Sequence, residues 1–90
     1  MKRVADGADV IAPGDPAAPV QFLDARDLAA GLLRQAAAGT TGTFNVTGPT
    51  APLALGDWLA TARRVLNPAA HLTWMDEAFL LTQGVAPWAD

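Results

Sequence analysis

Short apolar runs alternate with helical stretches along this chain, and no hairpin signal joins any two of the runs. This pattern most constrains the fold, because strands separated by helices are typical of α/β proteins with parallel pairing. Leucines at helical spacing predict one helix from Asp24 to Ala38, and a second apolar stripe predicts another from Leu55 to Leu66. The runs predicted as short strands are Val20–Leu23, Thr43–Thr47 and His71–Trp74.

Capping residues support these helix assignments. Gly39 follows the first helix and can end it in the left-handed conformation. Ala54 occupies the cap position of the second helix, where a missing Ser or Asp costs about 1 kcal/mol. Asp76 can cap a final helix that runs through Gln83, with Gly84 just beyond its end.

The first twenty residues add a polar start and a strong turn. Lys2 and its polar neighbours precede Gly7, a glycine that can end a helix. Val10 and Ile11 form a short apolar pair, and Pro13–Pro16 is strong turn chemistry. We therefore expect an α/β chain with about three helices and three or four short strands. So few brief strands cannot make a covered parallel sheet, which indicates part of a larger α/β protein.

Composition excludes several classes of function. Of the 90 residues, 51% are hydrophobic, which is enough for a packed core. The chain has no Cys and no Ser, so disulfides, thiolate metal sites and Ser-His-Asp triads are excluded. His71 is the only histidine, which excludes a multi-histidine metal site, and no metal site is predicted. A net charge of −3 argues against nucleic acid, and the absence of an apolar run of about 20 residues argues against a membrane span, so we expect a cytoplasmic protein.

Charged residues near the first helix allow two interpretations each. Asp24 and Asp27 could form an acid/base pair or hold a cation, but a helix start that favours negative charge is the better interpretation. Arg26 could contact a phosphate or carboxylate, or pair with a neighbouring aspartate. Gly39–Thr43 has the composition of a phosphate-binding loop, but it follows a helix and precedes a strand, so we interpret it as a cap and turn.

Aromatic and basic side chains are interpreted structurally. Trp58, Trp74 and Phe79 are predicted in the core because of their helical and strand spacing, and Trp88 is the aromatic expected to seek a partner surface. His71 precedes a strand and is expected at the surface or an edge. Three arginines are expected to be solvated on polar helix faces: Arg34, Arg63 and Arg64.

Several segments together resemble one family. Ala12–Pro16, Val20–Ala29 and Gly42–Gly48 are similar, in order and spacing, to the C-terminal third of extended short-chain dehydrogenase/reductases, the NAD-dependent epimerase/dehydratase group. The later segments Leu72–Leu80 and Gly84–Trp88 look like the tail of bacterial members. The resemblance covers nearly the whole chain, and its specificity comes from the segments in combination.

The resemblance implies that residues 1–90 form a single C-terminal, substrate-binding fragment that lacks the cofactor-binding half. The segment Phe44–Thr47 would then lie beside the Rossmann sheet. The family's glycine-rich loop and its catalytic Tyr and Lys lie upstream and have no counterpart here, and the chain contains no Tyr. We therefore expect no catalytic residue and no bound cofactor in this chain, although NAD(P) is implied for the full-length family.

The resemblance also bears on the substrate. Nucleotide-sugar epimerases carry a diphosphate-binding Arg where this chain has Val20, and valine cannot make that contact. The resemblance therefore favours a reductase-like or uncharacterised member over one that acts on a nucleotide sugar. The substrate-cleft residues that it implies are Gln21, Phe22, Asp24 and Arg26.

Three hypotheses follow. The leading one is a substrate-domain portion of an NAD(P)-dependent oxidoreductase or epimerase-like protein, inactive alone, whose exposed surface self-associates or docks on a Rossmann half. The second is a stand-alone, non-enzymatic module that binds a partner protein, and completion of a split enzyme is one form that this could take. The third, direct binding of a nicotinamide cofactor, is disfavoured because no phosphate-binding loop is present.

Overall fold

The computed structural model describes residues 1–86, which form a mixed α/β structure with four helices and four short strands. The chain divides into two compact units. Unit 1 contains residues 1–19 and the described residues from 53 onward, and unit 2 is Val20–Pro52. In chain order the elements are α1 (Lys2–Asp6), β1 (Asp9–Pro13), β2 (Pro19–Val20), α2 (Ala25–Ala37), β3 (Leu53–Ala54), α3 (Leu55–Leu66), β4 (His71–Met75) and α4 (Glu77–Thr82).

Strands β1 and β4 pair in parallel at the centre of unit 1, with Val10 opposite Leu72. The ladder continues past both ends of β1. At one end the amide of His71 donates to the carbonyl of Ala8 at 2.6 Å, and at the other the amide of Gly14 donates to the carbonyl of Met75 at 2.8 Å. The second sheet consists of the two-residue strands β2 and β3.

The burial of β1 alternates, so its two faces differ. Val10 and Ala12 are buried, whereas Asp9, Ile11 and Pro13 are exposed. The core on the buried side contains Val4, Val10 and Ala70, with Leu72 packed against it. Parallel sheets are normally covered on both faces. Within the described residues, the face of β1 that carries Ile11 stays exposed, at 54% for that side chain.

Helices α3 and α4 begin and end where the sequence predicts. Ala54 is the N-cap of α3 and supplies no side-chain hydrogen bond, and the helix stops at Asn67. Asp76 caps α4 by accepting from the amides of Ala78 and Phe79. Gly84, at φ 75°, adopts the left-handed conformation just past the end of α4.

Unit 2 contains α2, whose predicted bounds are confirmed. Asp24 is the N-cap, and Gly39 has φ 65°. The amides of Gly39 and Thr40 donate to the carbonyls of Ala36 and Gln35, which is the Schellman pattern of a glycine-terminated helix. All residues from 20 to 52 are described, and none of them is buried. Within the described residues, Leu32 and Leu33 of the apolar stripe of α2 are therefore exposed.

Several strand predictions differ from the structure. The predicted strand Thr43–Thr47 is irregular, with Phe44 52% exposed, because a strand needs a hydrogen-bonded neighbour and none of the described strands pairs with this segment. The predicted strand Val20–Leu23 is reduced to β2, whereas Val10–Ile11 extends into the five-residue β1. The start of the chain forms α1, so there are four described helices rather than about three.

Some side-chain predictions also need correction. Phe79, predicted in the core, is 52% exposed, because Leu80 is the side chain that α4 buries. Arg63, predicted to be solvated, is part-buried, and its guanidinium donates to the carbonyl of Ala70 at 3.4 Å. His71 is exposed at the start of β4, as expected. The prediction for Trp88 lies outside the described residues.

Candidate functional site

A cleft of about 380 Å³ lies in unit 1, at the carboxyl ends of the parallel strands β1 and β4. Open α/β sheets bind their ligands at this edge. Loops that follow the strands line the cleft together with the starts of α3 and α4. The lining residues are Pro13, Gly14, Asp15, Ala18, Leu55, Glu77, Leu80, Val85 and Ala86.

The loop after β1 forms the first wall of the cleft. Gly14 has φ 74°, a conformation that side-chain-bearing residues rarely adopt, and it turns the chain out of the ladder. The carboxylate of Asp15 then accepts from the amide of Ala17 at 2.8 Å, and the carbonyl of Asp15 accepts from the amide of Ala18 at 3.0 Å. These bonds close a compact turn of the kind predicted for Pro13–Pro16.

The start of α3 holds this loop in place. The amide of Leu55 donates to the carbonyl of Ala18 at 2.9 Å, and the amide of Gly56 donates to the carbonyl of Pro16 at 2.8 Å. A Cβ atom at Gly56 would lie 3.0 Å from that carbonyl oxygen, so the close approach depends on glycine. The backbone therefore fixes this wall.

Helix α4 supplies another wall. Glu77 is its first residue and Leu80, buried at 4% exposure, is its apolar contribution to the cleft. The amide of Val85 donates to the carbonyl of Leu80 at 3.0 Å and so returns the chain to the cleft after the helix ends. The side of the cleft formed by Leu80 and Val85 is thus apolar.

The lining is apolar except for two carboxylates, Asp15 and Glu77, both on exposed residues. Among the described residues, the lining contains no basic side chain, hydroxyl, imidazole or thiol. Two carboxylates in an otherwise apolar cleft can bind a ligand through apolar contact and through hydrogen bonds that the carboxylates accept.

The residues present do not fit a dinucleotide cofactor. A pyrophosphate binds where a strand leads through glycines to a helix start with free amides. At the start of α4, Asp76 already occupies the amides of Ala78 and Phe79. At the start of α3, the amides of Leu55 and Gly56 donate to backbone carbonyls. The starts of α3 and α4 therefore do not provide a pyrophosphate site at this cleft.

Asp24 and Arg26, two of the predicted cleft residues, pair with each other at the start of α2. The guanidinium of Arg26 donates to the Asp24 carboxylate at 2.8 and 3.1 Å, and the amide of Arg26 donates to it at 2.8 Å. The pKa of Asp24 lies below its usual value. The largest cause is the hydrogen bond from the Arg26 side chain, and the second is the bond from the Arg26 amide, while desolvation acts in the opposite direction. The alternative in which Arg26 pairs with an aspartate is thus the arrangement observed.

Gln21 and Phe22 lie in the segment between β2 and α2. Gly48 approaches this segment closely, and a Cβ atom at Gly48 would overlap the carbonyl oxygen of Phe22. None of the four predicted residues is among those lining the cleft of unit 1. A role for Gln21, Phe22, Asp24 and Arg26 in substrate binding stays a prediction.

Within residues 1–86, no three His, Asp or Glu side chains are grouped so that they could hold a metal ion. Asp24 and Asp27 instead belong to the cap and first turn of α2. None of the described helices has the length and apolar character needed to cross a membrane.

Sequence reasoning identified the turn that contains Asp15 but missed the site formed around it. Glu77 and Leu80 join that turn because β1 and β4 pair in parallel, and Leu55 joins it through the bond from its amide to the carbonyl of Ala18. The signal that could have found Asp15 and Glu77 is their position shortly after the apolar pair Val10–Ile11 and the predicted strand His71–Trp74, since the carboxyl ends of parallel strands share an edge.

Comparisons with protein-family models, with curated proteins and with solved structures found no match to this chain. The resemblance to extended short-chain dehydrogenase/reductases therefore stays a prediction.

Proposed function

We propose that this chain is the substrate-side portion of a cytoplasmic NAD(P)-dependent oxidoreductase or epimerase-like protein and is catalytically incomplete alone. The observation that carries the proposal is the cleft at the carboxyl ends of β1 and β4. Small molecules bind at this position in α/β proteins. The family resemblance gives the class of reaction.

The chemistry of the cleft supports a binding role. Among the described residues, its lining offers two carboxylates and otherwise apolar groups. The chain contains no Tyr to donate the proton that the resembled family requires, and its helix starts do not fit a dinucleotide. Cofactor and proton donor would therefore come from a companion cofactor-binding half.

Unit 2 offers a surface on which such a half could dock. This unit has no buried residue, and its helix α2 exposes Leu32 and Leu33 at 55% and 72%. Phe44 and Val46 are each about half exposed in the same unit. Exposed apolar surface of this kind is typical of an interface.

The test begins with the DNA that encodes the chain and its neighbours. We expect a coding region, fused or adjacent, that specifies a glycine-rich strand–turn–helix and a Tyr-x-x-x-Lys motif. The chain purified with that product should bind NADH or NADPH by calorimetry and catalyse nicotinamide-dependent turnover, whereas the chain alone should do neither. Tight binding of NAD(P)H by the chain alone, or the absence of any such coding region, would refute the proposal.

The alternative is a stand-alone interaction module without an enzymatic role, and the same uncovered α2 favours it. The two functions differ in the partner. An interaction module would form a stoichiometric complex with a protein that binds no nicotinamide cofactor, and Leu33→Glu would dissolve that complex. A partner that binds NAD(P)H would instead favour the oxidoreductase.

A further inference from the structure

The cleft at the ends of β1 and β4 lacks the groups that hold anions at this position in other α/β proteins. Anions bind there through free amides at the end of a strand or the start of a helix. Here the carboxylate of Asp76 accepts from the amides of Ala78 and Phe79 at 2.8 and 3.4 Å. The carboxylate of Asp15 accepts from the amide of Ala17 at 2.8 Å.

The charge of the lining also disfavours an anion. Among the described lining residues, Asp15 and Glu77 are the charged ones, and no arginine, lysine or histidine accompanies them. A phosphate or carboxylate in the cleft would meet like charge with no counter-ion supplied by the wall. Repulsion between like charges lowers the affinity for an anion, and so it makes the cleft select against negatively charged ligands.

The remaining lining supplies apolar contact. Leu80 is buried, Leu55 is half-buried, and Pro13, Ala18 and Val85 complete an apolar wall. A volume of about 380 Å³ lies within the range of small-molecule sites. Shape and lining together suit a ligand with an apolar body.

We propose that this cleft binds a predominantly apolar small molecule without negative charge and excludes anionic ligands, phosphorylated ones included. Apolar burial supplies the affinity, and the carboxylates of Asp15 and Glu77 supply the selection against negative charge. The identification of this ligand class with the substrate rests on the proposed function. The charge selectivity itself is a property of the cleft.

Two dyes with one ring system test the proposal. N-phenyl-1-naphthylamine is neutral, and 1-anilinonaphthalene-8-sulfonate has the same rings with an added sulfonate. Fluorescence titration of the full chain should give a Kd for the neutral dye at least about tenfold lower than for the sulfonate. The neutral dye should shift the backbone amide resonances of Gly14, Leu55 and Val85.

Charge variants make the test specific. The double variant Asp15→Asn, Glu77→Gln keeps an oxygen acceptor for the amide of Ala17, and it should reduce the ratio of the two Kd values severalfold by strengthening sulfonate binding. Asp57→Asn is the control, because Asp57 is an exposed first-turn carboxylate outside this cleft. It should leave the ratio unchanged.

Three results would overturn the proposal. They are amide shifts confined to residues outside the cleft, equal affinity for the two dyes in the unaltered chain, and an equal response of the ratio to the cleft variant and to Asp57→Asn. These measurements use the chain without cofactor or partner. The dye test could fail while the chain and its companion cofactor-binding half together catalyse nicotinamide-dependent turnover. That result would refute the proposed ligand class and leave the proposed function standing.

Discussion

The amide of Gly14 donates to the carbonyl of Met75 at 2.8 Å, one residue beyond the end of β1. In this parallel register, Ala8, Val10, Ala12 and Gly14 turn their backbone groups toward β4. Pro13 lies between two of them and faces the opposite edge. The missing N–H of proline therefore removes no bond from the ladder, and the turn that forms the cleft can follow it directly.

Asn67 joins the end of α3 to the connection between α1 and β1, and its loss should destabilise unit 1. Its amide nitrogen donates to the carbonyls of Ala5 and Gly7 at 3.3 and 3.1 Å. An aspartate cannot donate, so Asn67→Asp should lower the free energy of unfolding by about 1–2 kcal/mol in urea denaturation at pH 7. Asn45→Asp, at an exposed position, is the matched control, and an equal loss for both variants would contradict this role.

Two glycines should respond oppositely to alanine. At Gly48 a Cβ atom would overlap the carbonyl oxygen of Phe22, so Gly48→Ala should destabilise the fold by about 1–3 kcal/mol. At Gly31, inside α2, no atom lies within 4 Å of the added Cβ. Gly31→Ala should stabilise by about 0.5–1 kcal/mol because alanine is the better helix former. Urea unfolding followed by circular dichroism measures both, and a stable Gly48→Ala would show that the segment around Phe22 packs differently.

The pairing of Asp24 with Arg26 should be visible in the titration of Asp24. The folded pKa of this carboxyl lies below its ordinary value of 3.8, because Arg26 donates to the charged form. A depressed folded pKa stabilises the fold above the unfolded pKa, and this contribution is lost as pH falls through the folded value. NMR titration of the Asp24 carboxyl carbon should show an upward shift of the pKa in Arg26→Ala. The variant Arg34→Ala should leave it unchanged, and a shift in both would indicate a general charge effect.

Helix α3 begins without a side-chain cap and can be stabilised at that point. Ala54 has extended backbone angles, φ −85° and ψ 146°, which suit a capping residue. Ala54→Ser should raise the free energy of unfolding by about 0.5–1 kcal/mol, because the hydroxyl can accept from the amide of Asp57, the third residue of the helix. The reverse experiment is Asp76→Ala at the capped start of α4, which should cost about 1 kcal/mol. Equal stability of Ala54→Ser and the unaltered chain would mean that the amide of Asp57 gains nothing from a hydroxyl acceptor.

The apolar face of α2 should make the isolated chain self-associate. Leu33 is 72% exposed, and its unit contributes no buried residue. Light scattering should show a mass that rises with concentration, and Leu33→Glu should shift it toward the monomer. Ala60→Glu adds the same charge at an exposed position of α3 and is the control. A chain that stays monomeric at high concentration would exclude this face as an interface between copies.

Local sequence signals were sufficient for α2, α3 and α4, whereas α1 was not predicted. Asp24 and Gly39 bracket α2, and Asp76 and Gly84 bracket α4, because caps and left-handed glycines act within a few residues. The turn at Pro13–Pro16 follows from its own chemistry in the same way. The mixed α/β class follows from the alternation of these elements.

Strands and site depended on tertiary structure. The run around Phe44 has strand composition and yet is irregular, because a strand exists only where a neighbour completes its hydrogen bonds. The cleft arises because the pairing of β1 with β4 places Asp15 and Glu77 at one edge, from positions far apart in the chain. Caps and turns are short-range interactions that the sequence determines by itself, whereas strand pairing and burial are long-range, so only the tertiary structure decided them.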